Sequence, residues 1–157
     1  MKFIKKTLKL GLIFSILGIL GIISLYVVAY FSPVLDIKNT GQYYIYDNDN
    51  SLLFQGSGNS KWVSLSDVSP YFIDAIISTE DKNFYKHNGF DYLRIIKTLF
   101  VNMKKGAIVG GASTISQQYV KNLYLDFDKT WERKLEEAWL TLKLEVHYSK
   151  DDILEGY

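Results

Sequence analysis

Three short stretches of this sequence carry side chains able to do chemistry. In the first, Glu80-Asp81 closes an apolar run, and Phe84 and His87 follow. A carboxyl behind apolar neighbours, at the negative end of a helix dipole, is biased toward holding a proton, which a general acid or base must do. The plainer alternative is a surface Glu-Asp pair beside a solvated histidine. The second stretch is Gly110-Gly111-Ala112-Ser113-Thr114-Ile115-Ser116-Gln117-Gln118, leading to Lys121-Asn122. Glycines before a capped helix start can turn free backbone N–H groups toward an anion. Gln118 and Lys121, three apart, share a helix face. A Thr114–Gln117 capping box accounts for the helix start but not for the paired glutamines or Lys121. With no G-K-[ST], the stretch is not a P-loop. The third stretch is Arg133-Lys134-Leu135-Glu136-Glu137. Arg133 and Glu137 lie four apart, opposite much of the helix's apolar stripe, and the planar guanidinium suits a phosphate. Alone, the pair reads as a helical ion pair worth about 0.3–0.5 kcal/mol. Together the three stretches supply two carboxylates from separate helices, the cations Lys121 and Arg133, and amides between them. That set suits a sugar with a phosphate leaving group.

Helices must position these groups. Ser69 and Pro70 suit a helix start, and Phe72, Ile73, Ala75, Ile76 and Ile77 supply an apolar face up to Glu80. Asn88-Gly89 signals a turn. Asp91 opens a second helix with Leu93, Ile96, Leu99 and Phe100 at helical spacing. Met103 to Gly111 is basic, then glycine-rich, and reads as a mobile connection. A third helix runs from Ser113 or Thr114 to about Leu123. A fourth covers about Thr130 to His147, with Leu135, Ala138, Trp139, Leu142 and Val146 on one stripe. Ser149 caps a fifth, over Lys150 to Leu154, and the sequence stops inside it at Tyr157. A helix ending after two turns with no cap or docking partner reads as the edge of a fragment. Upstream, Gln42 to Gln55 reads as a hairpin turning at Asp47-Asn48-Asp49-Asn50, and Gly56 to Ser60 as a short loop.

Composition bounds the classes. The chain has 157 residues, about one domain's worth, with 48% hydrophobic and 22% charged residues, the balance of a globular chain. The formal net charge of +1 lacks the basic excess of a general nucleic-acid binder. The absence of cysteine excludes disulfides, thiolate nucleophiles and Cys-based zinc sites, and two histidines argue against a His-rich metal centre. Leu10 to Phe31 contains no charged residue. As a helix it would span roughly 33 Å, enough to cross a hydrocarbon core of about 30 Å. Lys2, Lys5, Lys6 and Lys9 precede it, and the next charge is Asp36. The positive-inside rule puts the N-terminus in the cytoplasm and the rest outside. A cleaved signal peptide is the competing reading, but its apolar region would be shorter and followed by an A-x-A-like site. The domains expected are a basic tail (1–9), a transmembrane signal anchor (10–31), a linker with the hairpin (32–62) and a helical domain (63–157).

Order and spacing make a family resemblance visible. The chain resembles the peptidoglycan glycosyltransferases, the lysozyme-like domain of class A penicillin-binding proteins and monofunctional transglycosylases. Their first motif, E-D-x-x-F-x-x-H-x-G, is matched by Glu80, Asp81, Phe84, His87 and Gly89. The second, G-x-S-T-I-x-Q-Q followed by K-N, is matched by Gly111, Ser113, Thr114, Ile115, Gln117, Gln118, Lys121 and Asn122. The third, R-K-x-x-E, is matched by Arg133, Lys134 and Glu137, and the fourth, K-x-x-I-L-E-x-Y, by Lys150, Ile153, Leu154, Glu155 and Tyr157. The resemblance covers about Val63 to Tyr157. It implies a mainly α, lysozyme-like domain behind the short hairpin and the single membrane helix. It implies polymerisation of lipid II into β-1,4-linked glycan, with release of undecaprenyl pyrophosphate and inversion at the anomeric carbon. Glu80 would be the base. Glu137 would be the second carboxylate, helping to hold either a divalent cation (Mg or Mn) or the pyrophosphate surroundings; no metal ligand is assigned and no organic cofactor is expected. Lys121 and Arg133 would bind pyrophosphate oxygens. Asp81, Phe84, His87, Ser113, Thr114, Gln117, Gln118 and Lys134 would shape the substrate subsites, with core packing an equal reading for Phe84.

The partners implied are lipid II, the growing glycan strand, membrane lipids and cell-wall synthesis machinery, with no nucleic acid. Lys97, Lys104 and Lys105 beside Leu99, Phe100, Val101 and Met103 resemble the family's membrane-facing segment and suit anionic lipid; an ordinary amphipathic helix is the alternative. Two rival functions remain. A lysozyme-like hydrolase would share the carboxylates and the helical shape, but would need neither the cations nor an anchor. A non-catalytic, membrane-anchored module binding glycan or lipid II would suit a domain that stops within its fourth motif.

Overall fold

The computed structural model describes residues 2–37, 43–49, 51–56, 62–125 and 130–157. Helix α1, Lys2–Phe31, contains the apolar stretch Lys9–Phe31, long enough to cross a membrane. Two short strands follow, β1 (Tyr43–Tyr46) and β2 (Leu52–Gly56), paired antiparallel with Tyr43 opposite Gly56. The Asp47 carboxylate accepts from the Asp49 and Ser51 N–H groups at 2.9 and 2.8 Å, the turn chemistry expected of Asp. Gln42, Asn50 and the loop expected beyond Gly56 lie outside the described residues.

The remaining helices are α2 (Pro70–Glu80), α3 (Tyr92–Lys105), α4 (Ile115–Tyr124), α5 (Trp131–His147) and α6 (Lys150–Gly156), with 3-10 turns at Leu65–Asp67 and Phe84–Lys86. Their starts follow side-chain capping. Asp91 accepts from Arg94 N–H, and Thr114 with Gln117 and Ser149 with Asp152 form capping boxes. Ser69 differs from expectation. Its side chain makes no capping bond, and its carbonyl accepts from Phe72 and Ile73 instead. Helix α3 also runs through Lys105, past the Met103 at which the mobile connection was expected to begin, and ends at Gly106 in the left-handed region.

The core gathers Leu35, Ile37, Phe84, Ile115, Tyr119, Val120, Leu144, Ile153 and Leu154. It therefore draws on residues N-terminal to Val63. Three tyrosines fix that segment: Tyr119 donates to Ile37 O at 2.5 Å, Tyr124 to Asp36 O at 2.7 Å, and Tyr148 to Leu35 O. Burial pushes the Tyr119 phenol up to about 12, so it remains a donor. Helix α5 packs against α4 and also against α1. This explains a departure from the expected stripe: Leu135 is 72% exposed, whereas Leu144, off that stripe, is fully buried. Helix α6 is docked rather than loose. Ile153 and Leu154 are buried, and Glu155 accepts from Trp62 Nε1 at 2.6 Å and Leu65 N–H at 2.8 Å. A Cβ at Gly156 would collide with the Tyr119 hydroxyl, so only glycine lets α6 lie this close to α4.

Candidate active site

The polar residues converge on the first turn of α4. Gln117 and Gln118 leave the helix in different directions, and each meets one carboxylate. Gln118 Nε2 donates to Glu80 Oε2 at 2.9 Å, and Gln117 Nε2 donates to Glu137 Oε1 at 3.3 Å. Two adjacent glutamines thus hold a carboxylate from α2 and one from α5. Glu80 is half-buried, and its backbone carbonyl accepts from the Arg94 guanidinium of α3 at 2.5 Å.

Glu137 is only 2% exposed, not on an outward face as the helical pattern suggested. Charge pairing explains this. Arg133 donates to Oε2 at 2.9 Å, and Lys134 pairs with Oε1. Lys134 also reaches Ser113 Oγ at 3.5 Å, which joins the glycine-rich stretch to α5. A buried carboxylate persists when its oxygens are filled by charged donors. Lys121, one turn beyond Gln117 and Gln118, is half-buried.

Asp81, Phe84, His87 and Thr114 stand behind these groups. Asp81 is fully buried, and its carboxylate accepts from Ile115 N–H at 3.1 Å and faces His87 Nε2 at 3.0 Å. Several of the amides expected to lie free at the start of α4 are therefore occupied. Ile115 N–H serves Asp81, Gln117 N–H serves Thr114 Oγ1 at 3.2 Å, and Gln118 N–H serves Thr114 O at 2.9 Å. A carboxylate of the chain itself takes the place an anion would occupy. Thr114 is fully buried and donates to Gly89 O at 2.7 Å. Gly89 sits at φ +84°, and a Cβ there would lie 2.8 Å from Thr141 Cγ2, so both the conformation and the space require glycine. Phe84 is fully buried with the Lys150 ammonium 4.4 Å from its ring centre. These four residues hold the site from within rather than facing solvent.

The sequence placed Lys150 and Tyr157 in the fourth motif without their contacts, and gave Arg94, Ser116 and Glu145 no role. Lys150 pairs with Glu145 at 2.7 Å, and Ser116 donates to the same carboxylate oxygen. Arg94 binds the Glu80 carbonyl. Tyr157 donates to Gln118 Oε1 at 3.1 Å. All but the Lys150–Glu145 pair link residues far apart in the chain, which local periodicity does not register.

The profile of the Transglycosylase family matches residues 49–157. Penicillin-binding protein 2D of Bacillus subtilis is 50% identical over 115 residues, covering 72% of this chain and 17% of that protein. Penicillin-binding protein 1A/1B of the same species is 40% identical over 158 residues, 98% of this chain and 17% of the relative. The biosynthetic peptidoglycan transglycosylase of Nitrosospira multiformis is 49% identical over 98 residues, 62% of this chain and 43% of the relative. The chain thus spans about a sixth of the length of the first two and under half of the third.

Proposed function

The chain belongs to the transglycosylase family, and from that premise we propose that it polymerises lipid II into β-1,4-linked glycan and releases undecaprenyl pyrophosphate. The observation that carries this reading is the pair of carboxylates held by Gln117 and Gln118, one of them set among cations. The acceptor sugar's 4-hydroxyl gives its proton to Glu80 as its oxygen attacks the donor's anomeric carbon. The carbon–oxygen bond to pyrophosphate breaks from the opposite face, and the electron pair leaves with the pyrophosphate. Glu80 suits the base role because its Oε2 is occupied by Gln118, while Oε1 makes no hydrogen bond among the described residues and is not buried. Lys121, Arg133 and Lys134 offset the charge that develops on the leaving group. Asp81, Phe84, His87, Thr114 and Gln117 act by holding Glu80, Glu137 and α4 in register, and Ser113 by anchoring Lys134.

The donor set does not fit a divalent ion held by the protein. Both Glu137 oxygens face cationic donors, and no group of three His, Asp or Glu converges among the described residues. No step is therefore routed through a metal. Helix α1 is the membrane anchor, with the N-terminus cytoplasmic, as the lysines before the apolar stretch indicate. The helical domain then lies on the outer face, beside its lipid substrate, its membrane lipids and the cell-wall machinery. The experiment is incubation of the intact protein with labelled lipid II in lipid vesicles. A ladder of glycan chains with release of undecaprenyl pyrophosphate is expected. Binding without polymer would favour the anchored module, and shortening of added glycan would favour a hydrolase.

A further inference from the structure

Tyr157 is the least explained residue at the site. Its hydroxyl donates to Gln118 Oε1 at 3.1 Å, and the Nε2 of that same amide donates to Glu80 Oε2 at 2.9 Å. We propose that Tyr157 is a positioning residue for Glu80, acting through the Gln118 amide. The inference rests on the reading of Glu80 as the base.

Donor and acceptor types fix how the Gln118 amide sits. A carboxylate only accepts, so only the NH2 end of Gln118 can face Glu80. That leaves the amide oxygen pointing the other way, and a terminal amide torsion is soft enough to turn about its axis. A flipped amide would set its oxygen against the Glu80 carboxylate, two acceptors with no proton between them. The Tyr157 hydroxyl removes that alternative by giving the amide oxygen a donor. Burial first, and the nearby Glu80 charge second, push the Tyr157 phenol above its ordinary value, so it stays protonated and able to donate. The ring is carried by the end of α6, which is fixed by Glu155 on the 3-10 turn side and by Gly156 against Tyr119. The consequence for Glu80 is directional. Oε2 stays occupied, and Oε1 is the oxygen left to receive the acceptor's proton.

Tyr157→Phe keeps the ring and removes the hydroxyl, so it tests the idea without emptying the packing. In the intact protein acting on lipid II, kcat should fall about 3- to 10-fold, the equivalent of one hydrogen bond, with KM unchanged. On a Gln118→Ala background the same substitution should produce no further loss, because its route of action is gone. Full kcat in Tyr157→Phe, or losses that multiply in the double variant, would overturn the proposal. A second readout does not depend on turnover. In 15N spectra of the detergent-solubilised protein, the Gln118 side-chain amide should give one set of signals in the wild type and lose its restraint, with faster proton exchange, in Tyr157→Phe. An identical Gln118 amide in both proteins would overturn the proposal even if the wild type makes no polymer. Absence of polymer from the wild type alone would count against the function, not against this contact.

Discussion

The junction of α2, α4 and α5 and the neighbouring helix α3 solve opposite problems. The junction buries polar groups: Asp81, Thr114, Gln117 and Glu137 are all at or below 5% exposure, and each has hydrogen-bond partners. Helix α3 exposes apolar ones. It buries no residue, and Phe100 and Met103 are each at least 70% exposed beside Lys104 and Lys105. Buried polar groups are tolerated only when paired, and once paired they define a single geometry. Exposed apolar groups beside lysines define no geometry but favour a lipid surface. The chain therefore separates a part whose paired polar groups fix one geometry from a part that leaves its apolar and basic groups exposed. Few bonds join them. Arg94 of α3 holds the Glu80 carbonyl, and Asn102 grips the glycine-rich stretch, accepting from Val109 N–H at 2.9 Å and donating to Gly110 O at 3.2 Å.

The contrast breaks most directly at Glu137. Glu137→Ala takes the acceptor from Arg133, Lys134 and Gln117, and loss of hydrogen bonds to a charged group costs about 1.5–3 kcal/mol. Chemical denaturation should show a loss of that size. A loss under about 1 kcal/mol, the ceiling for a surface pair, would mean the junction does not rest on its polar pairs. Phe100→Asp probes the other side. In detergent its stability should stay within about 0.5 kcal/mol of wild type, as for an exposed site. In vesicles of anionic lipid, polymer formation should drop at least about tenfold, because burying a phenylalanine is worth about 1.5–3 kcal/mol. Lowered stability in detergent would show that this face packs on protein instead.

The smallest effect is expected at the seam. Asn83's side chain and then Arg94's backbone N–H donate to Asp91, holding its carboxyl below the usual carboxylate range. A lowered folded value means the stabilisation is complete above the unfolded carboxyl's pKa of about 3.9 and fades as pH falls through the folded value. Asp91→Ala should therefore cost about 1 kcal/mol at neutral pH. The gap between variant and wild type should close in acid. A gap that persists at low pH would assign the effect to packing.

Much of this was legible in the sequence, for identifiable reasons. Caps are local, so Asp91, Thr114 with Gln117, and Ser149 marked helix starts. The paired glutamines stood out because a cap needs only one of them. The burial of Glu137 was not legible, since a helical pattern places an Arg-Lys-Glu set outward unless another helix packs there, and α4 does. Nor was the capture of the Ile115 N–H at the start of α4, because Asp81, which takes it, is 34 residues away. The same holds for the tyrosines that bind residues 35–37 across more than 80 positions.

The central claim is that the junction aims Glu80 as a base, and Glu80→Gln tests it most directly. The substitution keeps the side chain's shape and removes its capacity to take a proton. The rate of glycan formation from lipid II should fall by about 10²–10⁴-fold, the usual contribution of a positioned base, with an unchanged unfolding curve. A variant that polymerises at close to the wild-type rate would contradict the account.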